Sequence, residues 1–389
     1  MIKRSIEKSL QYSLKHFPVV ILLGPRQVGK TTLAKQLAKS VKKASLYFDM
    51  ELNSDYVKFD DAESFLRQHQ DKLIIIDEVQ RRPELFALLR ALVDIKRVPA
   101  RFILLGSANP QLVKGVSETL AGRALYAELS GIGLDEIPKS ISLKKHWTRG
   151  GFPQSLLAKN ELVSRNWLNS YITSYVEKEL NNAFGIEFTA SVVRRFWSML
   201  SANHGGIWNA SDYARSMAVS PPTATRYLDY LEGAYLVRKL QPFFPNVSKR
   251  LVKAPKVYIR DSGLLHALLR IGNYDDLYNT TFFGSSWEGY VIEQINSAKP
   301  SFLDLYYYRT HNGAEVDLVL VNGHKPVATV EIKTSQTAKL SVGYYESTKD
   351  LQTKHNFVVF PDGDSYYNSS KVLLLNLQDF IANHLPKLK

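Results

Sequence analysis

The chain has no cysteine among its 389 residues, and this one absence excludes disulfides, thiolate zinc sites, iron–sulfur clusters and cysteine nucleophiles. Its nine histidines never take the H-E-x-x-H spacing that holds zinc on one helix face. No apolar run approaches the roughly 20 residues a membrane helix needs, and Met1 to Gln11 has no long apolar segment of signal-peptide type. A cytoplasmic location without a membrane partner is the expectation. Acid is also scarce: 37 Asp and Glu face 50 Lys and Arg, a formal charge of +13. That balance favours polyanionic partners, nucleic acid first. Mg²⁺ is the one metal the composition invites.

What is present begins with Gly24-Pro25-Arg26-Gln27-Val28-Gly29-Lys30-Thr31, which fits G-x-x-x-x-G-K-[ST] at every fixed position. The apolar Val19–Leu23 before it reads as a buried parallel strand, and Thr31–Lys39 after it, including Thr32, reads as a helix. Strand, loop and helix start therefore coincide as a phosphate-binding loop requires. Backbone N–H groups and the positive end of the helix dipole meet the phosphates of ATP, Lys30 reaches the β- and γ-phosphates, and the Thr31 hydroxyl faces Mg²⁺. A second apolar strand, Leu73–Asp77, ends in Asp77-Glu78. Such a strand is expected beside the loop strand, with Asp77 holding Mg²⁺ through water and Glu78 polarising the attacking water. Taken alone, the same pair also reads as a helix N-cap.

Further apolar runs at Ser45–Asp49, Arg101–Gly106 and Leu125–Leu129 complete a parallel α/β sheet. Gly106-Ser107-Ala108-Asn109 closes the fourth strand, where Ser107 or Asn109 can sense the γ-phosphate or simply make a turn. Arg123 lies just before the last strand, where an arginine can act on the γ-phosphate of its own or a neighbouring subunit. Arg26, inside the loop, is its rival. From Ile137 to Ser201 the pattern is helical, opened by Gly150-Gly151-Phe152-Pro153, and Tyr171, Ile172, Tyr175, Val176 and Leu180 form an apolar stripe with Glu177, Lys178 and Glu179 outward.

Ala210–Met217, Ala218–Ser220 and Pro221–Glu232 read as helix, turn and helix. Leu236–Leu240 and Lys256–Ile259 then read as the hairpin of a winged helix. Tyr227, Leu228 and Leu231 face the core in this reading, leaving Thr223, Thr225, Arg226 and Asp229 outward, where such residues enter the DNA major groove. Arg238, Lys239, Lys249, Arg250, Lys253, Lys256 and Arg260 follow with no intervening acid, so Lys249, Arg250 and Lys253 are candidate phosphate contacts. Winged helices also bind proteins.

The last stretch holds a second constellation. Strands Leu305–Arg309, Glu315–Val321 and Val327–Thr334 follow a helix carrying Trp287 and Glu288. Strand alternation puts Glu331 and Lys333 on one face, with Asp317 across from them. Two carboxylates, a lysine and Mg²⁺ suit phosphodiester hydrolysis: Asp317 and Glu331 bind the metal, Glu288 completes the set, and Lys333 steadies the hydroxide or the developing charge.

With Ile76-Asp77-Glu78-Val79-Gln80, Gly150-Gly151-Phe152-Pro153, Lys249-Arg250-x-x-Lys253-x-Pro255-Lys256-Val257-Tyr258, Glu315-Val316-Asp317 and Glu331-Ile332-Lys333 added to the phosphate loop, the whole chain resembles a prokaryotic family that fuses an AAA-type P-loop ATPase to a C-terminal domain of unknown function. The resemblance implies ATP binding, a winged helix and a C-terminal domain similar to PD-(D/E)XK nucleases. The expected fold class is α/β, divided into a P-loop ATPase core (1–135), a helical lid (136–203), a winged helix (204–262) and a nuclease-like domain (263–389). A homo-oligomer or a protein partner is compatible with it. Two functions are open: an ATPase working on DNA with a metal-dependent nuclease, or a nucleotide-dependent switch that binds a protein partner without cleavage.

Overall fold

The five apolar runs of the first third become five parallel strands: β1 (Val19–Gly24), β2 (Ser45–Asp49), β3 (Leu73–Asp77), β4 (Phe102–Ser107) and β5 (Ala124–Glu128). Their order across the sheet is β2-β3-β4-β1-β5. The computed structural model describes residues 2–107, 120–174, 190–245, 249–337 and 339–389. Asn109 and the stripe residues Tyr175, Val176, Glu177, Lys178, Glu179 and Leu180 lie outside them. β1 and β3 are buried along their whole length, as parallel strands covered on both faces must be, and this explains their unbroken Val, Ile and Leu. One expectation is corrected. β3 is not beside the loop strand, because β4 pairs with both and separates them. An apolar run reports burial and not its neighbour. The helix Lys30–Ser40 nevertheless reaches β3 by packing across β4.

The described residues fall into two compact units, one from residues up to Ile132 together with Asp229–Tyr235, the other from the remaining described residues after Ile132. In the second, helix Leu143–Arg149 does not stand in a lid core of its own. Its Trp147 is fully buried in one apolar cluster with Trp287, Tyr290, Leu318 and Val330. The rings of Trp147 and Trp287 meet edge to face at 4.9 Å. The Gly150-Gly151-Phe152-Pro153 turn after this helix has a packing role. Gly150 takes φ +74°, and a Cβ there would lie 2.2 Å from the Asp261 carboxylate. That carboxylate caps the helix Ser262–Leu268 through the Leu264 N–H and also accepts from the Gly151 N–H at 2.7 Å.

The helix-turn-helix comprises Ala210–Met217 and Pro221–Gly233. Asn209 caps the first helix, Ala218 ends it in the left-handed region, and Ser220 accepts from the Thr223 N–H to start the second. Leu228 and Leu231 are buried, while Tyr227 is half-buried with its ring edge-on to Phe196. Strands β6 (Val237–Leu240) and β7 (Lys256–Ile259) form an antiparallel pair.

The second sheet contains β8 (Leu303–Arg309), β9 (Glu315–Asn322), β10 (Lys325–Ile332), β11 (His355–Phe360), β12 (Tyr366–Tyr367) and β13 (Leu373–Asn376), in the order β12-β13-β11-β10-β9-β8. β8, β9 and β10 are antiparallel, and β11 joins β10 in parallel after the crossover helix Val342–Leu351. An exposed β8 edge would invite unwanted pairing. The β6–β7 connection covers it: Phe243 N–H donates to Tyr307 O, Val252 N–H to Arg309 O, and His311 N–H to Arg250 O.

Candidate active sites

In the first unit the loop residues Gly24 to Thr31 run from the end of β1 into the helix Lys30–Ser40, whose first turn also holds Thr32. Gly24 has φ +148°, and a Cβ there would sit 2.1 Å from the Leu129 carbonyl oxygen. No side chain fits, so the pattern's first glycine is demanded by the neighbouring strand exit as well as by any ligand. Lys30 is buried, and its Nζ donates to the carbonyls of Gly24 and Pro25 at 2.9 Å each. Burial lowers the Lys30 pKa to about 8, opposed by the Glu78 and Asp77 carboxylates and helped slightly by Arg26. Arg26 itself is ion-paired with Glu51 at 3.0 Å.

The Thr31 hydroxyl donates to Asp77 Oδ2 at 2.6 Å. A hydroxyl and a carboxylate oxygen side by side fit Mg²⁺, a hard cation that takes few protein oxygens and leaves its other positions to phosphate and water. The Tyr47 hydroxyl also donates to Asp77 Oδ2, at 2.9 Å. Glu78, next in sequence, takes φ +50°, a conformation that costs a non-glycine residue roughly 1–3 kcal/mol. Its Oε2 accepts from Ser107 Oγ at 2.9 Å and from Gln80 Nε2, which also donates to Ser107 Oγ at 3.1 Å. Asp77, Glu78, Thr31 and Ser107 thus converge at the carboxyl ends of β1, β3 and β4. Arg123 is held elsewhere, by both carboxylate oxygens of Asp94 at 2.7 and 2.9 Å. Sequence reading missed Tyr47, Gln80 and Asp94, although Gln80 stands in a landmark already noted.

In the second unit Asp317, Glu331 and Lys333 come together. The β9–β10 register sets Leu318 opposite Val330, and beyond it Asp317 Oδ2 accepts from the Ile332 N–H at 2.8 Å. Lys333 Nζ lies 2.7 Å from Glu331 Oε1, while Glu331 Oε2 is buried without a hydrogen bond. Burial pushes the Asp317 carboxyl well up, as do the Glu331 and Glu288 charges, against the pull of Lys256. Burial raises Glu331 too, with Lys333 opposing it. For Lys333, burial is the largest single influence and favours loss of the proton, but the Glu331, Asp317 and Glu288 carboxylates together outweigh it and raise its pKa.

Glu288 was expected as a third metal ligand and is engaged otherwise. Its Oε1 accepts from Lys256 Nζ at 3.1 Å and from the Tyr258 hydroxyl at 2.5 Å. Lys256 also sits 2.7 Å from Glu315, which Arg309 pairs at 3.1 Å. Among the described residues no group of three or more His, Asp or Glu is disposed to hold a metal ion. Within the pair Asp317 and Glu331, one buried oxygen, Glu331 Oε2, makes no hydrogen bond. Lys256 and Tyr258 were not anticipated here. The signal was their alternation with Val257 and Ile259, which turns both toward one face.

The candidate nucleic-acid residues divide. Arg226, Lys249, Arg250 and Lys253 are exposed, and Thr223 and Thr225 are half-buried at the start of the second helix of the helix-turn-helix. Lys249 pairs with Asp350 at 2.7 Å. Arg238 and Arg260, from the same basic run, both bind Glu293.

Residues 16–137 match the AAA domain family, and residues 140–275 and 283–380 match two families, each described as a domain of unknown function (DUF8612 and DUF4143). An uncharacterized protein of Mycobacterium tuberculosis is 41% identical over 359 residues, covering 92% of this chain and 80% of its own length. An uncharacterized protein of Haemophilus influenzae is 24% identical over 387 residues, covering 88% and 94%. Among solved structures, a Walker-type ATPase of Pyrococcus abyssi superposes with a TM-score of 0.50 at 16% identity, covering 69% of this chain and 96% of that one. That likeness speaks to fold.

Proposed function

We propose a function on the premise that this chain belongs to the family of the uncharacterized mycobacterial protein and carries an AAA-type ATPase domain: it hydrolyses ATP in order to act on DNA. The carrying observation is the convergence of Lys30, Thr31, Asp77, Glu78 and Ser107 at the ends of three adjacent parallel strands. Lys30 exchanges its two carbonyl partners for the β- and γ-phosphates. Thr31 and Asp77 would hold Mg²⁺, which when bound draws charge off the phosphates. Glu78 orients the attacking water and must leave Gln80 and Ser107 to do so. Gln80→Ala is therefore expected to raise basal ATP turnover by about tenfold, matching the lower end of the roughly 1.5–3 kcal/mol that a hydrogen bond to a charged group is worth, because Ser107 still holds Glu78. A steady-state phosphate-release assay reads this, and an unchanged or slower rate refutes the restraint.

The DNA part rests on the helix-turn-helix with Thr223, Thr225 and Arg226, the exposed Arg250 and Lys253, and the charge of +13. With its hairpin β6–β7 we read it as a winged helix. Charge reversal of Arg226, Arg250 and Lys253 to Glu should weaken duplex binding and flatten its salt slope by roughly one unit per lost phosphate contact. Reversal of Lys249 should do less, because Asp350 already neutralises it. Unchanged affinity and slope would favour a nucleotide-dependent switch that binds a protein partner. One observation supports that second reading: Arg238, Lys256 and Arg260 spend their charge inside the second unit.

The helix Phe283–Ala298, the antiparallel β8–β9–β10, the crossover helix and the parallel β11 support a PD-(D/E)XK nuclease-like reading of the C-terminal sheet. Asp317 and Glu331 would hold a divalent cation there, and Lys333 would stabilise negative charge developing on a cleaved phosphodiester.

A further inference from the structure

β7 sends two polar side chains into the C-terminal acidic cluster. Lys256 and Tyr258 are two residues apart on one strand and so face the same way, and both donate to the same oxygen, Glu288 Oε1. Lys256 is only 5% exposed. A buried ammonium is tolerated only where it is paired, and here Glu288 and Glu315 pair it at 3.1 and 2.7 Å. Beside it stand Asp317, with one backbone hydrogen bond, and Glu331, whose buried Oε2 has none. The cluster thus offers unsatisfied carboxylate oxygen at Glu331 while its neighbouring carboxylate, Glu288, is occupied by an internal cation.

We propose that Lys256 is a positioning residue of this site, a resident cation that keeps Glu288 from serving Asp317 and Glu331 and that a divalent cation must displace to gain Glu288 as a third ligand. The inference rests on the nuclease-like reading and adds its regulation. An ammonium and a divalent cation compete for the same oxygens, so the affinity of the site for metal is set by how firmly β7 holds Lys256 in place. β7 is the second strand of the hairpin that follows the helix-turn-helix. By linkage, whatever shifts that hairpin changes cation affinity, and a bound cation loosens the hairpin to the same degree.

Mn²⁺ titration of the full chain without nucleotide, read by the electron paramagnetic resonance of free Mn²⁺, tests this. Lys256→Met should bind Mn²⁺ about tenfold or more tightly than the parent, the scale on which partners of metal ligands act. Adding Asp317→Asn should abolish the gain, which separates it from any ion held at Thr31 and Asp77. Tyr258→Phe should show a smaller gain, and Lys256→Arg none. Equal or weaker binding by Lys256→Met with an intact circular dichroism spectrum would overturn the proposal, as would a gain that survives Asp317→Asn. Should Lys256→Met fail to fold, Tyr258→Phe decides, since it keeps the charge; no gain there overturns the proposal. A parallel DNA-cleavage assay keeps the two ideas apart, because a Mn²⁺ gain without cleavage sinks the nuclease reading and leaves the role of Lys256 standing.

Discussion

Glu78→Gln should bind ATP as tightly as the parent chain and hydrolyse it about a hundredfold or more slowly, the scale on which a positioned general base contributes. The amide keeps the size of the side chain and its place beside Gln80 and Ser107, but it cannot draw a proton from water. Lys30→Ala should fail earlier, at binding, because in the proposed site Lys30 is the charged side chain that meets the β- and γ-phosphates. The Lys30 ammonium also predicts a pH dependence. Burial holds its pKa near 8 in the free protein, whereas phosphate favours the protonated form, so ATP binding takes up a proton above that pH. Affinity should then fall by up to roughly tenfold per pH unit above about pH 8. Isothermal titration at several pH values, in buffers of different ionisation enthalpy, reads both the affinity and the proton. Full turnover in Glu78→Gln would remove Glu78 from the chemistry, and a flat profile would remove the Lys30 titration.

Glu293→Ala is the substitution expected to cost most in stability. Glu293 is buried between Arg238 and Arg260, which approach it from β6 and from the residue after β7. Removing the acid leaves two guanidinium groups facing a small apolar side chain, and breaking a buried ion pair from one side costs about 3–5 kcal/mol. Burial works to raise the Glu293 pKa, but the two arginines outweigh it and hold it below the ordinary glutamate value. Its contribution to stability is therefore complete above the unfolded-state pKa and is lost as pH falls through the lower folded-state value. Urea denaturation of the parent and Glu293→Ala at pH 7 and pH 4 measures this. The gap between them should narrow toward acid, and a loss of less than about 1 kcal/mol at pH 7 would show that the triad is dispensable.

The contrast between what could and could not be read in advance follows from how local each signal is. Gly24 to Thr31 and Asp77-Glu78 are legible because phosphate chemistry fixes residue types at consecutive positions. The strands β1 to β5 are legible because a parallel sheet buried on both faces leaves unbroken apolar runs. The two helices Ala210–Met217 and Pro221–Gly233 are legible because the second opens on a proline, while the capping roles of Asn209 and Ser220 appear only in the structure. Strand order is different, since nothing in Leu73–Asp77 says that β4 will stand between it and β1. Trp147 looks like any core tryptophan until Trp287, far along the chain, is seen beside it. The basic run from Arg238 to Arg260 was legible only in part for the same reason. It holds no acid of its own, yet Glu288, Glu293 and Glu315 arrive from later elements to neutralise Lys256, Arg238 and Arg260. Charge read along a sequence cannot report partners supplied by tertiary structure.

The central claim, an ATPase whose turnover serves an action on DNA, meets its most direct test in the steady-state rate of ATP hydrolysis with Mg²⁺, measured without DNA and with single-stranded, duplex and branched DNA over a range of salt. The account predicts hydrolysis that Lys30→Ala abolishes, that at least one DNA form stimulates, and whose stimulation fades as salt screens the phosphate contacts. Hydrolysis that no DNA form changes at any salt, in a protein that also binds none of them, would contradict it.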